Sequence, residues 1–259
     1  MLIDHMDQHG VATITLDRPD THNAFDDTLI AALTAKLRAY DADPRLRVLV
    51  MAANGPSFSA GADLGWMRRM ADTAIADNLR DAAGLATLMR TLDQLSCPTI
   101  AVVQGPAYGG GVGLAACCDI VLAADRAKFC LSEVRLGLIP AVISPYVVAA
   151  IGPHQARRYF ATAEIFSAET ARDIGLVHEI MPLDELTSRT AQIITHLLKG
   201  APQAQRAAKR LIADVAGRPI DDQLIMHTQN LIADIRASDE GREGVAAFLA
   251  KRPAPWIAS

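Results

Sequence analysis

The sequence predicts an α/β fold in which a strand-rich first half is followed by an almost wholly helical second half. Residues 2–7 and 11–16 alternate between apolar and polar side chains, as half-buried strands do. Val48–Ala52 and Pro98–Gln104 are short apolar runs typical of buried strands. With 259 residues, of which 51% are hydrophobic, the chain can bury a full core and is interpreted as one soluble domain.

The remaining elements follow in chain order from periodicity and from Gly and Pro breaks. Amphipathic periodicity predicts helices at 28–40 and 75–95, and short apolar runs predict strands at 120–123 and 127–130. After these strands the pattern becomes helical, at 155–160, 168–174, 183–198, 203–215, 221–238 and 242–251. The breaks fall at Gly152-Pro153, Gly175, Pro182, Gly200-Ala201-Pro202 and Gly217-Arg218-Pro219.

The glycine run Gly109–Gly113 is the first candidate for chemistry. It lies between the predicted strand Pro98–Gln104 and the apolar helical run Leu114–Asp119, where unpaired backbone N–H groups favour an anion. The run lacks a phosphate-loop pattern, and it matches Gly-x-Gly-x-x-Gly only loosely, with no suitably placed acidic residue. The alternative is a glycine-rich turn that allows a helix and a strand to pack closely.

A second loop of small residues, Asn54–Leu64, follows the apolar run Val48–Ala52. Its small side chains leave the backbone open just before an amphipathic stretch. If each loop donates one N–H to a shared point, the pair forms an oxyanion hole, where one donor contributes roughly 10²–10³ in rate. Spacing alone does not show whether the two loops converge.

The composition and charge of the chain argue against several other classes of function. A net charge of −4 without a basic stretch argues against nucleic-acid binding, and Arg206, Lys209 and Arg210 are interpreted as a solvated helix face. The four cysteines lack zinc-ligand spacing, so we expect buried reduced thiols and no metal site. No run reaches about 18 apolar residues and the N-terminus lacks signal-peptide features, so we expect no membrane span and a cytoplasmic location.

Several motifs in the same order resemble the enoyl-CoA hydratase/isomerase (crotonase) family. The resemblance covers about residues 10–256. It rests on Asn23-Ala24-Phe25, Phe58–Leu64, Gly105–Gly111, Cys118–Ile120, Ser132–Pro140 and Glu243–Arg252. It implies a ββα spiral core over residues 1–195, which binds acyl-CoA, and a C-terminal helical region over residues 196–259. That region commonly mediates trimers, so the resemblance implies a homotrimer or a dimer of trimers.

The resemblance also implies an acyl-CoA thioester site. Its oxyanion hole would be formed by the N–H groups of Ala62 and Gly110, which would hold a thioester enolate. No permanently bound cofactor is implied, because coenzyme A arrives as part of the substrate. The residues at the implied substrate-binding positions are Ala24, Ala60, Asp63, Leu64, Tyr108, Phe248 and Lys251.

The acid–base pair is where this chain departs from the hydratase pattern. Typical hydratases carry two glutamates, but the first position here is Gly113, so only Glu133 remains. Glu133 can act alone if an apolar pocket raises its pKa, and we expect Phe129, Leu131, Val134 and Leu136 to form that pocket. The alternative is that Glu133 is a helix N-terminal acid beside a Ser132 cap.

The resemblance favours a hydratase that adds water across the 2,3-double bond of a 3-methyl-branched enoyl-CoA such as 3-methylglutaconyl-CoA. Three segments are similar to bacterial methylglutaconyl-CoA and γ-carboxygeranoyl-CoA hydratases, which are enzymes of leucine and acyclic terpene catabolism. These segments are residues 130–148, Gly65-Trp66 and residues 246–256. Arg135 and Arg68 are candidates to bind a distal carboxylate by proximity in sequence alone, and the favoured alternative is that each is a surface or salt-bridging arginine. Trp66–Met70 and Ala141–Val148 are expected to build the pocket walls.

Three other functions stay open. A Δ3-Δ2-enoyl-CoA isomerase needs only one base to move a proton from C2 to C4, so it also fits a lone Glu133. A catalytically silent acyl-CoA-binding protein would explain Gly113, although the retention of Glu133 counts against it. An RNA-binding role is reported for some relatives of methylglutaconyl-CoA hydratase, and the acidic balance disfavours it.

Overall fold

The computed structural model describes residues 1–71 and 73–257 and contains two β-sheets surrounded by helices. The strands of the larger sheet, in chain order, are β1 (Leu2–Met6), β2 (Val11–Leu16), β3 (Val48–Ala53), β4 (Thr99–Val103), β6 (Ile120–Ala124) and β9 (Glu179–Met181). The strands of the smaller sheet are β5 (Ala107–Tyr108), β7 (Lys128–Cys130) and β8 (Phe166–Ser167).

The order of strands in the larger sheet is β1-β2-β3-β4-β6-β9. β1 and β2 form an antiparallel hairpin, and every later neighbour in the sheet is parallel. Parallel strands end on the same side, so the loops after β3 and β4 leave the sheet at one edge. In the smaller sheet β5 runs parallel to β7, and β7 runs antiparallel to β8.

Ten helices connect and cover the strands in the described ranges. The helices that precede residue 175 are α1 (Asp27–Asp41), α2 (Leu64–Ala71), α3 (Ile75–Asp93), α4 (Gly110–Ala116), α5 (Ser144–Thr162) and α6 (Ala168–Asp173). The later helices are α7 (Leu186–Leu198), α8 (Pro202–Val215), α9 (Asp222–Ala237) and α10 (Asp239–Leu249).

The larger sheet has an apolar layer on each face because its central strands are buried on both sides. On β3, Leu49 and Met51 belong to the main core with α1 and α3, whereas Val48 and Val50 pack in a second cluster with α7. The period-2 alternation of strand side chains divides one apolar run between two cores.

The predicted elements are largely confirmed, with differences at α5 and at the shortest strands. The helix α5 begins at Ser144, well before the predicted 155, and the predicted break at Gly152-Pro153 is a kink inside it, where Gly152 has φ 73°. The strands β5, β8 and β9 were not predicted because two or three residues are too few to show a period. Because α7 continues to Leu198, the proposed division at residue 195 falls within a helix.

Of the three basic residues that the sequence predicts as a solvated face of α8, Arg210 is exposed, but Arg206 and Lys209 make contacts with the fold. The Nη2 of Arg206 donates to the carbonyl of Leu46, and its Nη1 donates to Ser96 Oγ. The Nζ of Lys209 donates to Asp119 Oδ2 at 2.7 Å, and that oxygen also accepts from the backbone and side chain of Thr99. These cations therefore fasten the C-terminal helices to the ends of the sheet strands.

All four cysteines are buried and unpaired, as expected. Within the described ranges, no helix combines the length and the apolar character needed to cross a membrane.

We predict that Lys209→Met lowers the free energy of unfolding by about 1–3 kcal/mol, because it leaves the Asp119 carboxylate without its cation. The Lys209 and Asp119 side chains are only 16% and 34% exposed, so solvent screens the pair weakly. Urea denaturation followed by circular dichroism measures the loss. Arg210→Met is the matched control, because the neighbouring Arg210 is exposed. Equal stability of the two variants would contradict this role for Lys209.

Candidate active site

Main-chain hydrogen bonds hold the two open loops together. The amide of Tyr108 donates to the carbonyl of Ser59 at 2.8 Å, and the amide of Phe58 donates to the carbonyl of Pro106 at 2.9 Å. On its other side the first loop pairs with Phe25, whose amide donates to the Gly61 carbonyl at 2.7 Å. The convergence that spacing could not show is therefore made by backbone pairing.

The side chain of Asn23 holds the first loop in place through hydrogen bonds. This fully buried residue has φ 54°, a left-handed conformation that asparagine tolerates better than most residues. Its Nδ2 donates to the carbonyls of Asn54 and Ser57, both at 2.9 Å, and its Oδ1 accepts from the amide of Arg18 at 2.8 Å. Because three main-chain groups converge on one buried amide, the loop has a defined conformation.

Two amides of these loops remain unpaired at the same cavity. Among the hydrogen bonds of residues 1–71 and 73–257, neither the N–H of Ala62 nor that of Gly110 has an acceptor. Gly110 is the first residue of α4, where an amide has no partner within the helix. Both residues line a cavity of about 320 Å³.

The cavity is mainly apolar. Its walls include Trp66 and Met67 of α2 and the segment 141–143. These residues belong to the two segments that the sequence predicts as pocket walls. The other apolar side chains that line it are Phe25, Leu64, Leu85, Leu136, Leu138, Ile139 and Pro140. The single charged side chain among its lining residues, within the part of the chain that the structure describes, belongs to Glu133.

Glu133 lies against the start of the glycine run. An added Cβ at Gly109 would be 3.1 Å from Glu133 Oε1, and Gly109 also has φ 48°, so both space and conformation favour glycine there. Glu133 Oε2 is buried and has no hydrogen-bond partner among the described residues. Desolvation by burial raises the pKa of Glu133 above its ordinary value.

The surroundings of Glu133 differ in part from the prediction. Leu136 lines the cavity, but Phe129 and Leu131 are buried in the main core, and Val134 lines a neighbouring cavity. Residues Glu133–Leu136 form a 3-10 helix, and the side chain of Ser132 makes no capping hydrogen bond to it. The alternative in which Ser132 caps a helix beside a structural glutamate therefore lacks its cap.

Gly113 does not line the cavity, because Ile143 covers it. A Cβ on Gly113 would lie 2.3 Å from Ile143 Cγ2 and 3.3 Å from Met89 Cε. Ile143 itself lines the cavity. Where the hydratase pattern has a carboxylate, this protein has an apolar wall, so the inclusion of Gly113 among the catalytic residues finds no support in its position.

The residues expected along the substrate divide into two groups. Ala60 and Leu64 line the cavity, and Leu64 is 74% exposed. Ala24 is buried and, like Tyr108, is not part of the cavity wall. Asp63 has a structural contact instead, because its Oδ1 accepts from the amides of Gly65 and Trp66 at the start of α2.

The structure does not bring the C-terminal candidates to this cavity. Phe248 is 82% exposed on α10, Lys251 follows that helix, and neither lines the cavity. Arg68 and Arg135 are exposed and also lie outside the cavity wall. Their exposure agrees with the favoured alternative that both are surface arginines.

Arg18 is a site residue that the sequence analysis missed. Its Nη1 donates to Asp26 Oδ2 at 2.7 Å and to the carbonyl of Ala24 at 3.1 Å, and its Nη2 is 3.7 Å from Asp63 Oδ2. One guanidinium thus connects the ends of α1 and α2 around the first loop. Nothing local in the sequence marks this role, because the partners are up to 45 positions away in the chain.

The chain belongs to the enoyl-CoA hydratase/isomerase family, whose model matches residues 6–258. Crystal structures similar to it include an enoyl-CoA hydratase of Shewanella pealeana (45% identity, 98% of this chain and 95% of that one, TM-score 0.96) and a protein of Legionella pneumophila described as an enoyl-CoA hydratase/isomerase (crotonase) (46% identity, 98% of each chain, TM-score 0.93). The 2,3-dehydroadipyl-CoA hydratase of Escherichia coli is 32% identical over 95% of this chain and 94% of its own. The predicted crotonase fold, with its C-terminal helices, is confirmed.

No cluster of three or more His, Cys, Asp or Glu side chains that could hold a metal ion occurs in residues 1–71 and 73–257.

We predict that Gly113→Ala destabilises the protein by about 1–3 kcal/mol through overpacking against Ile143. In the double variant with Ile143→Ala, the two substitutions should cost less together than the sum of their separate effects. Thermal and urea denaturation of the four proteins of this cycle measure the coupling. Gly84→Ala is the control, because a Cβ there meets only Ile30 Cγ2, at 3.9 Å, and should be neutral or slightly stabilising. Additive effects would show that Ile143 does not occupy this space.

We predict that Glu133→Gln makes the folded protein more stable than the wild type at neutral pH. Folding raises the pKa of Glu133, so the wild type loses stability as pH rises from the ordinary glutamate pKa through the folded one. Below the ordinary pKa, both the folded and unfolded wild type are protonated, and the advantage of glutamine should disappear. Urea denaturation across this pH range checks the sign. A variant less stable than the wild type at neutral pH would show that the ionised carboxylate is stabilised by folding.

Proposed function

We propose that this protein is an enoyl-CoA hydratase that adds water across the 2,3-double bond of its substrate. The observation that carries the proposal is Glu133 Oε2, a buried carboxylate oxygen without a protein donor. The Glu133 side chain lines the same cavity as Ala62 and Gly110, whose amides are unpaired. A buried acceptor without a protein donor is a group that a bound water molecule can satisfy.

The mechanism assigns each group one role. The N–H groups of Ala62 and Gly110 donate to the thioester oxygen. Glu133 takes a proton from water, the hydroxyl adds to C3, and the electron pair of the double bond moves toward the thioester oxygen to form an enolate. Glu133 then returns its proton to C2, so the product has gained one water molecule. The amides stabilise the enolate more than the ground-state carbonyl, which is the requirement for catalysis.

One carboxylate is sufficient for this sequence because its protonation state changes twice. A proton acceptor that becomes a donor works best when its pKa is near the working pH. Burial shifts the pKa of Glu133 in that direction. The apolar wall thus contributes to the chemistry by desolvating the carboxylate.

The second candidate is a Δ3-Δ2-enoyl-CoA isomerase, and Ile143 is the observation that favours it. Ile143 lies over Gly113, so one carboxylate faces the cavity where two would hold a water molecule between them. In the isomerase, Glu133 would take a proton from C2 and deliver it to C4, again through the enolate. The catalytically silent alternative is disfavoured because Glu133 and both amides remain exposed to the cavity.

We propose that the acyl chain of the substrate is uncharged next to the thioester and that the cavity accommodates a 3-methyl branch. Apart from Ser132 and Glu133 the lining side chains are apolar, and within the described residues no Arg or Lys lines this cavity. A short carboxylated chain such as that of 3-methylglutaconyl-CoA would therefore place its carboxylate among apolar groups, which is costly without a partner. The E. coli relative is named for a carboxylated substrate, so charged acyl groups remain part of the test.

We further propose a homotrimer or a dimer of trimers. The C-terminal helices carry exposed apolar side chains, among them Ile225, Met226, Ile232, Val245, Phe248 and Leu249. Covering this surface with a second copy of the chain would remove it from water. In the proposed assembly, Phe248 and Lys251, which do not line the cavity of their own chain, would contribute to the coenzyme A site of a neighbouring copy.

The test is product analysis by mass spectrometry after incubation with crotonyl-CoA, 3-methylglutaconyl-CoA and a 3-enoyl-CoA. We expect the mass of the first or the second substrate to increase by one water molecule. Glu133→Gln should lower that turnover by about 10²–10⁴, since it removes the acid–base group. Glu164→Gln is the control, because this exposed glutamate pairs with Arg158 on the surface.

A change confined to the 3-enoyl-CoA, without change of mass but with a shifted double bond, would assign the isomerase instead. Binding of all three CoA esters without any product would indicate an acyl-CoA-binding protein.

A further inference from the structure

A second cavity adjoins the catalytic one on the far side of Glu133. Its volume is about 400 Å³, and it shares Ile139, Pro140 and Ala141 with the catalytic cavity. Glu133 faces the first cavity and the next residue, Val134, faces the second. Residues 139–141 therefore form a wall that the two cavities share, and the segment 133–134 lies between them.

Among the described residues that line the second cavity, one has a charged side chain, Arg157 of α5. The rest of its wall is apolar except for Ser144. Arg157 follows the kink of α5 at Gly152, in the second half of that helix. The kink changes the direction of the helix and so determines where Arg157 is presented.

Arg157 is free to bind an anion. Within residues 1–71 and 73–257 it makes no ion pair and no side-chain hydrogen bond. Its neighbour Arg158, in contrast, pairs with Glu164 at 2.6 Å and lies over the ring of Tyr159. Of two adjacent arginines, one is committed to the fold, and the other faces a cavity next to the active site.

We propose that Arg157 binds the terminal carboxylate of a dicarboxylic enoyl-CoA whose acyl chain passes residues 139–141 from the catalytic cavity. This inference rests on the proposed function and names the substrate class of the same site. The apolar groups of Ile139, Pro140 and Ala141 suit the methylene part of such a chain, and the guanidinium suits its carboxylate, which it can bind through two parallel hydrogen bonds. The acyl chain must be long enough to reach past this segment, because within the described residues no Arg or Lys lines the catalytic cavity itself.

The competing anion is a phosphate group of coenzyme A, which a guanidinium also binds well. The two sources differ in one consequence. A phosphate contact would affect every CoA ester equally, whereas a carboxylate contact would affect only substrates that carry one. Two substrates of equal chain length, 2,3-dehydroadipyl-CoA and 2-hexenoyl-CoA, distinguish them, because they differ at the terminal carbon alone.

The experiment measures kcat/KM for hydration of both substrates by the wild type and by Arg157→Gln. For the variant we expect a loss of about tenfold on 2,3-dehydroadipyl-CoA, mainly in KM, and no change on 2-hexenoyl-CoA. Arg157→Lys keeps the charge but not the paired hydrogen bonds and should recover part of the loss. The loss on the dicarboxylic substrate should also shrink at high salt, because the guanidinium is exposed.

Arg158→Gln is the matched control on the same helix and should leave both substrates unchanged relative to each other. Equal losses on both substrates with Arg157→Gln would assign the contact to a CoA phosphate and overturn the proposal. An unchanged kcat/KM on both would overturn it as well. If the wild type hydrates neither substrate, the proposed function fails, whereas hydration of 2-hexenoyl-CoA with no effect of Arg157→Gln rejects this inference alone.

Discussion

The candidate active site depends on one seam of main-chain hydrogen bonds. The loop after β3 is paired on one side with Phe25 and on the other with the segment 106–108 that leads into α4. This pairing brings the amides of Ala62 and Gly110 to the same cavity while it leaves both without an acceptor. Because the donors belong to the backbone, their positions follow from the fold, and they need no reorganisation when charge develops on a substrate oxygen.

The apolar wall of the cavity also destabilises the ionised form of Glu133. An apolar wall that desolvates the carboxylate makes it a better proton carrier but disfavours its ionised form in the folded protein. The wall continues over Gly113, where Ile143 fills the space that a second carboxylate would need. The site is therefore organised around one titrating group, and a second one would have to displace packed apolar atoms as well as bear its own desolvation.

The two ends of the cavity differ in how they are built. The end that contains the amides of Ala62 and Gly110 consists of backbone held by buried polar side chains such as Asn23, three of whose four side-chain hydrogen-bonding positions are in use. The other end consists of apolar side chains from α2 and from residues 136–143, most of which are partly exposed. Substitutions at this second, variable end would alter the shape of the cavity without disturbing the seam, so the proposed chemistry and the proposed choice of acyl group depend on different parts of the structure. Arg157 lies beyond that variable end.

The sequence by itself determined the elements and the chemically distinctive loops. Strand alternation in Val11–Leu16, helical periodicity in α1 and α3, the small residues of both loops and the single Glu133 are all properties of neighbouring residues, so they can be recognised locally. Family motifs spread along the chain identified the fold. What only the tertiary structure decided are contacts between residues far apart in sequence. Four such contacts depend on how separate elements pack, which no local period encodes. They are the pairing of the two loops, the packing of Ile143 over Gly113, the ion pair of Lys209 with Asp119 and the position of Arg157 beside the cavity. The same reason explains why proximity in sequence left Arg68 and Arg135 as candidates only, because nearness along the chain does not determine which way a side chain faces once the helix that carries it is placed.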